Sequence, residues 1–139
     1  MSDYVLGIDF GTESVRAAVY DTGGGCAGIG VSPIKTVYRQ SGWAEQSVPD
    51  WRRAVVEAVR IGLSSSGIDP GTVRGIGFDG TTCTLVFLDE RGRPLRDAIL
   101  WMDVRAAREA VAITDCGGSA LDYVAGGRIS AEWFPCKAL

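Results

Sequence analysis

Apolar positions recur along the chain first with a period of two and later with a period near four. Val5, Leu6 and Ile8 lie in the run Tyr4–Phe10, which is bounded by the turn residue Gly11 and predicts a strand. Val15, Ala17, Val19 and Tyr20 form a second run, with Arg16 on the opposite face from its neighbours. The linker Gly11-Thr12-Glu13-Ser14 is short enough for a hairpin, and Gly11 supplies the positive φ or the close backbone approach that such a turn needs. After Gly23-Gly24-Gly25, residues 26–31 read as a third strand, so the chain is expected to begin as a three-stranded antiparallel meander.

Residues 33–46 read as an irregular connection, and then the period changes. Ser47 is a candidate N-cap, Asp50 lies three residues on, and Pro49 falls in the first turn. Trp51, Val55, Val59 and Leu63 recur every four residues with Ala54, Ala58 and Ile61 beside them, which predicts an amphipathic helix ending at Ser64-Ser65-Ser66-Gly67, before Pro70. Residues 73–78 predict a fourth strand, again stopping on an acid, Asp79. Residues 84–88 predict another, closed by Asp89-Glu90-Arg91-Gly92, with residues 98–101 pairing back. Asp103 opens a predicted helix over residues 104–113. A Gly117-Gly118 break, a short helix over residues 119–124 and a Gly126-Gly127 loop follow. The final SAEWFPCKAL reads as a helix just begun, with no polar C-cap after Leu139, so the chain is expected to be a fragment of a longer protein.

Length and composition fit one ordinary globular domain: 139 residues, 46% hydrophobic and 22% charged. A net charge of −3 gives no electrostatic case for nucleic acid or an anionic membrane. No apolar run approaches the ~18 residues of a membrane span, and no signal-peptide layout is present. Cys26, Cys83, Cys116 and Cys136 lie far apart without a CxxC pair, so reduced thiols in a cytoplasmic protein are expected. The absence of histidine argues against zinc and excludes a Ser-His or Cys-His dyad within these residues.

Two hydroxyl-bearing turns, Thr12/Ser14 and Thr81-Thr82/Thr84, each follow a strand that stops on an aspartate. A tight turn with a glycine, two hydroxyls and flanking Asp9 and Arg16 can hold a phosphate and its magnesium. Asp and Thr at strand ends are equally ordinary turn residues. Taken together, the two turns suggest loops at one edge of one sheet, where open α/β sheets bind ligands. Trp43, Trp51 and Trp133 are expected in core packing, and Arg52, Arg53 and Arg60 on a solvated helix face.

The stretch GIDFGTESVRAAVYD resembles the first phosphate-binding hairpin of the FGGY carbohydrate kinases, members of the actin, Hsp70 and hexokinase superfamily. SGWAEQSVPDW is similar to the Gly-Trp-x-Glu-Gln stretch before that family's first long helix. Asp79-Gly80-Thr81-Thr82-Cys83-Thr84 resembles the Asp-Phe-Thr-x-Cys-Thr loop of ribulokinases, and the Gln-Met-His core of xylulokinases is absent. AILWMDVRA and SAEWFPCKAL are also ribulokinase-like, so five motifs fall in the family's order over residues 4–139.

The resemblance implies an α/β, actin-like (ribonuclease-H-like) ATPase domain whose mixed sheet begins with the meander and is flanked by helices. Residues 1–139 would be the truncated N-terminal part of the first of two such domains. It further implies an ATP-dependent kinase phosphorylating a ketopentose or pentitol at a terminal hydroxyl, with xylulose as an alternative substrate. A non-catalytic sugar- or nucleotide-sensing module, or a remnant, is the rival class. The implied cofactors are ATP and Mg2+, and the implied partners are sugar and ATP, with no nucleic acid or membrane; a homodimer is allowed for the full-length protein. In the implied site Asp9 serves the metal, Gly11, Thr12, Ser14 and Arg16 the phosphates, and Asp79, Thr82, Cys83 and Trp101 the sugar. Asp103 is expected to be a helix N-cap. The general base would lie beyond Leu139, so the chain alone should not turn over.

Overall fold

The computed structural model describes residues 3–139. In chain order the strands are β1 (Tyr4–Phe10), β2 (Ser14–Asp21), β3 (Cys26–Pro33), β4 (Glu45–Gln46), β5 (Val73–Gly80) and β6 (Ala98–Ile99). The helices are α1 (Val48–Ser66), α2 (Ala107–Cys116) and α3 (Phe134–Ala138). They build two compact units from interleaved segments: Met1–Lys35 with Val48–Thr81, and Thr36–Ser47 with Thr82–Leu139. No helix among the described residues is long and apolar enough to cross a membrane.

In the first unit the meander forms as expected. β5 then pairs parallel to β1, giving the strand order β3-β2-β1-β5. Gly11 does not take a positive φ. Its N–H donates to Ser14 O at 3.0 Å, and a Cβ on it would lie 3.2 Å from that same oxygen, so close approach is what the turn needs. In the second turn Asp21 Oδ1 accepts from the N–H groups of Gly23 and Gly25, with Gly24 at φ 88°.

Helix α1 lies across β2 and β3, and its buried line is Ala54, Ala58 and Gly62, with Trp51, Val55, Val59 and Leu63 flanking it. Ile61, expected on that face, is instead exposed. The face is rotated because small residues meet on both sides. A Cβ on Gly30 of β3 would sit 2.0 Å from Ala58 O and 2.5 Å from Gly62 N. The helix backbone therefore rests almost directly on the strand, a contact only glycine permits. Leu6, Ile8, Val15, Ala17, Val19 and Ile34 complete the core beneath it. Ile76 and Phe78 on β5 share the face of Leu6 and Ile8 by register, yet both are exposed.

The second unit departs further from expectation. Residues 45–46, read as part of a connection, pair antiparallel with β6. Residues 84–88 make no regular strand. Leu85 bridges Ile99 through hydrogen bonds of 2.8 and 2.9 Å, and Leu88 bridges Pro94. Helix α2 starts three residues later than the pattern suggested, and its cap residue Ala106 makes no side-chain cap bond. Asp103 is therefore not a helix cap; its carboxylate is taken by other donors. Single 3-10 turns occupy Ser119–Tyr123 and Ala125–Gly127, the second where a loop was expected, and α3 forms at the expected place. A small core of Ala106, Ala110 and Cys136 joins α2 to α3, with Trp133 left 41% exposed rather than packed inside. All four cysteines are free thiols.

Candidate functional site

The sequence-derived residues fall into two groups, one in each unit. In the first unit β1 ends on Asp9 and turns through Gly11-Thr12 into β2. Antiparallel register sets Asp9 opposite Arg16, and parallel register sets Asp9 beside Asp79. Arg16 Nη1 donates to Asp9 Oδ2 at 3.0 Å, with both side chains substantially exposed. Asp79 Oδ1 accepts from Gly80 N at 2.8 Å. An open cleft of about 430 Å3 is lined by Asp9, Phe10, Gly11, Thr12, Glu13, Arg16, Asp79, Gly80 and Thr81. Five strand residues, Asp9, Phe10, Arg16, Asp79 and Gly80, thus converge with Gly11, Thr12 and Glu13 from the hairpin's tip and with Thr81 on a concavity lined by three acidic residues and an arginine. Ser14 is not among its lining residues and contributes its carbonyl to the turn. Gly11 N–H is committed to that carbonyl, so Gly11 shapes the turn rather than donating outward.

Asp79, grouped with the sugar-facing residues in the sequence, thus stands beside Asp9. Thr82, Cys83 and Trp101 belong to the second unit. There Thr82 is exposed, and Cys83 is half-buried with φ 60°, the only non-glycine residue with positive φ among those described. Trp101 N donates to Thr84 Oγ1 at 3.2 Å, tying the residue 82–84 loop to the segment that carries the 39%-exposed indole of Trp101. Lys137 Nζ donates to Cys83 O at 2.8 Å, Leu100 O at 2.9 Å and Trp101 O at 3.4 Å.

An ion cluster occupies the same unit. Glu45 accepts from Arg39 Nε at 2.9 Å and Arg105 Nη2 at 2.8 Å, and also pairs with Arg96. Asp103 accepts from Arg105 Nε at 2.8 Å and Nη2 at 2.7 Å, and from the N–H groups of Ala44 and Arg105. The Arg105 guanidinium lies 3.8 Å from the centroid of the Trp43 ring, so Trp43 is a cation–π partner rather than plain core filling. Burial pushes both the Asp103 and Glu45 carboxyls up, but the hydrogen bonds from Arg105 and its neighbours outweigh it, and each ends below its ordinary value.

Sequence reading placed Glu45 only within a family stretch and misjudged Asp103; Lys137 it missed. The available signals were the charges of Glu45, Asp103 and Arg105 within apolar surroundings and, for Lys137, its place in the family-like stretch SAEWFPCKAL.

A family model described as "FGGY family of carbohydrate kinases, N-terminal domain" matches residues 4–136. The chain belongs to the FGGY family. A D-ribulokinase of Saccharomyces cerevisiae is 37% identical over 140 residues, covering 93% of this chain and 19% of the yeast protein. A human FGGY carbohydrate kinase domain-containing protein is 38% identical, covering 98% of this chain and 26% of that protein. Among solved structures, a xyloylose kinase from Brucella ovis matches with TM-score 0.88 and 27% identity over 96% of this chain and 28% of that one. The α/β, actin-like class expected for an FGGY chain is the class observed. The chain spans about a fifth to a quarter of the length of the curated relatives described here.

Proposed function

We propose that this chain is the N-terminal part of an ATP-dependent FGGY kinase that phosphorylates a ketopentose or pentitol at a terminal hydroxyl. The observation that carries the reading is the cleft at the β1–β2 hairpin, where Asp9, Arg16 and Asp79 meet beside Gly11-Thr12. Phosphoryl transfer asks a protein to position phosphates and neutralise charge rather than to supply a covalent nucleophile, and this cleft offers both. Arg16 presents a planar double donor suited to phosphate oxygens, and Thr12 belongs to the same lining. The neighbouring Asp9 and Asp79 carboxylates fit a largely hydrated magnesium, which takes one or two carboxylates and completes its shell with water and phosphate. When bound, Mg2+ would neutralise phosphate charge as it develops. Asp9 is its primary holder in this reading.

Thr82, Cys83 and Trp101 would face the sugar, with the indole as an apolar wall for its carbon skeleton. A ribulose-like substrate is favoured over xylulose by the Thr-Thr-Cys-Thr loop and by the likeness to a D-ribulokinase. The test is coupled ADP release by the full-length kinase with D-ribulose, L-ribulose, ribitol and xylulose. Turnover with a ribulose or ribitol well above that with xylulose is expected. No sugar-dependent ADP release with any of the four would overturn the reading. The isolated chain of 139 residues is expected to be silent in the same assay.

A further inference from the structure

Lys137 is only 6% exposed, and its ammonium donates to three main-chain oxygens, those of Cys83, Leu100 and Trp101. An ammonium has three protons to give, so the acceptors match its donor capacity. Burial pushes its pKa down, against the pull of the nearby Asp103 charge. A buried cation is an unfavourable choice for filling space, since any apolar side chain would do that without desolvation. What the ammonium adds is geometric. Its acceptors belong to two separate segments: the loop that holds Cys83 at φ 60°, and the strand exit that carries Trp101. A left-handed φ is an uncommon state for a residue with a side chain and needs its surroundings to hold it. The bond from Trp101 N to Thr84 Oγ1 is a second tie between the same two segments.

We infer that Lys137 is a positioning residue for the sugar: by gathering the carbonyls of Cys83, Leu100 and Trp101 on one ammonium, it sets the spacing between Thr82-Cys83 and the Trp101 ring. The inference rests on the proposed reading that these residues face the sugar. Removing the ammonium takes a donor from each of these carbonyls, of which Leu100 O keeps the Asp103 N–H at 3.1 Å, and frees the loop to leave its left-handed state, so the two walls of the sugar site lose their register.

The experiment compares Lys137→Met with Thr82→Leu in the full-length kinase, measuring sugar KM, ATP KM and kcat well below each variant's Tm. For Lys137→Met, sugar KM is expected to rise about tenfold or more, with ATP KM within about twofold of wild type. A lysine that merely supports the fold would lower Tm and leave sugar KM unchanged. That result, seen while Thr82→Leu still raises sugar KM, overturns the positioning role and leaves the sugar-site reading standing. An unchanged sugar KM in Thr82→Leu removes the sugar site itself, and the role of Lys137 falls with it. Where Lys137→Met is not recovered as soluble protein, Lys137→Arg carries the test, because it keeps the charge but displaces the donors. The same selective rise in sugar KM supports the inference, and an unchanged value overturns it.

Discussion

The two units solve the problem of an interior in opposite ways. The first is sealed by apolar contact: α1 lies on β3 so closely that Gly28, Gly30 and Gly62 leave no room for a methyl group. The second has a small apolar core and fills the remaining interior with charge, Glu45 and Asp103 among Arg39, Arg96 and Arg105. Shape therefore decides stability in the first unit, and charge pairing decides it in the second. The ion pair of the first unit's cleft, Asp9 with Arg16, is exposed at the proposed chemistry rather than buried beneath it.

The sharpest way to break the contrast is to remove one charge from the second unit. Asp103 is fully buried, and its loss in Asp103→Ala leaves Arg105 close to buried with half its partners gone. Breaking such a pair from one side typically costs about 3–5 kcal/mol, because an uncompensated charge stays behind. Urea unfolding should show a loss of that size. A loss under about 1 kcal/mol, the range of an exposed pair, would mean that the cluster is solvated and that the contrast is wrong.

The matching change in the first unit is Gly30→Ala. One methyl group would be forced to within 2.0 Å of Ala58 O, a backbone atom that cannot swing aside, so α1 must lift from the sheet. Overpacking of this kind costs about 3 kcal/mol at the upper end of its usual range, and a Tm lower by roughly 10 °C is expected in a thermal melt. An unshifted Tm would show that helix and strand are not in this contact.

These two sites also explain what could be read in advance. The meander was legible because Leu6/Ile8 and Val15/Ala17/Val19 alternate within single strands, and a strand's two faces are a local property. Helix α1 was legible as a helix, but its buried line was not. Leucine and valine mark a face by size, whereas Ala58 and Gly62 are buried because Gly30 admits them, a match between separate segments. The cleft residues Asp9, Gly11, Thr12 and Arg16 were found because strand end and turn are adjacent in the chain. The ion cluster was hidden because Asp103 takes its donor Ala44 from 59 positions away, which no local period encodes. Read locally, an acid before an apolar helix is a cap. Residues 84–88 failed for the opposite reason: β-propensity was present, but the segment forms only isolated bridges, at Leu85 and Leu88.

Acid should separate the units without any substitution. Glu45 and Asp103 both lie below their ordinary pKa values, since their arginine bonds outweigh the burial that raises them. A depressed carboxylate adds stability that is fully present above the ordinary carboxylate range of about 4 and is lost as pH falls through the folded value. Between pH 7 and pH 3, protection factors, which normalise for the intrinsic slowing of exchange in acid, should therefore fall over residues 36–47 and 98–116 before they fall over residues 4–33. Simultaneous loss of protection in both sets would place the acid-labile charge elsewhere.

The smallest effect on stability is expected at Asp9. Its pair with Arg16 is a 3.0 Å contact between two exposed side chains, and such pairs contribute about 0–1 kcal/mol. In the full-length kinase Asp9→Ala should therefore melt within a few degrees of wild type, in contrast to Asp103→Ala. Its kcat, however, should fall on the order of 10²–10³, the usual consequence of removing one electrostatic contact to developing charge, with sugar KM little changed. The two readouts separate the roles that a carboxylate can play in this fold. A melting loss as large as that of Asp103→Ala would make Asp9 another structural anchor. An unchanged kcat would reduce it to a turn residue, and the cleft at the hairpin would lose its claim on the phosphates. Low cost to stability with a high cost to turnover is the signature expected of a charge held at a surface for chemistry, just as the reverse is expected of Asp103, buried where no substrate can reach.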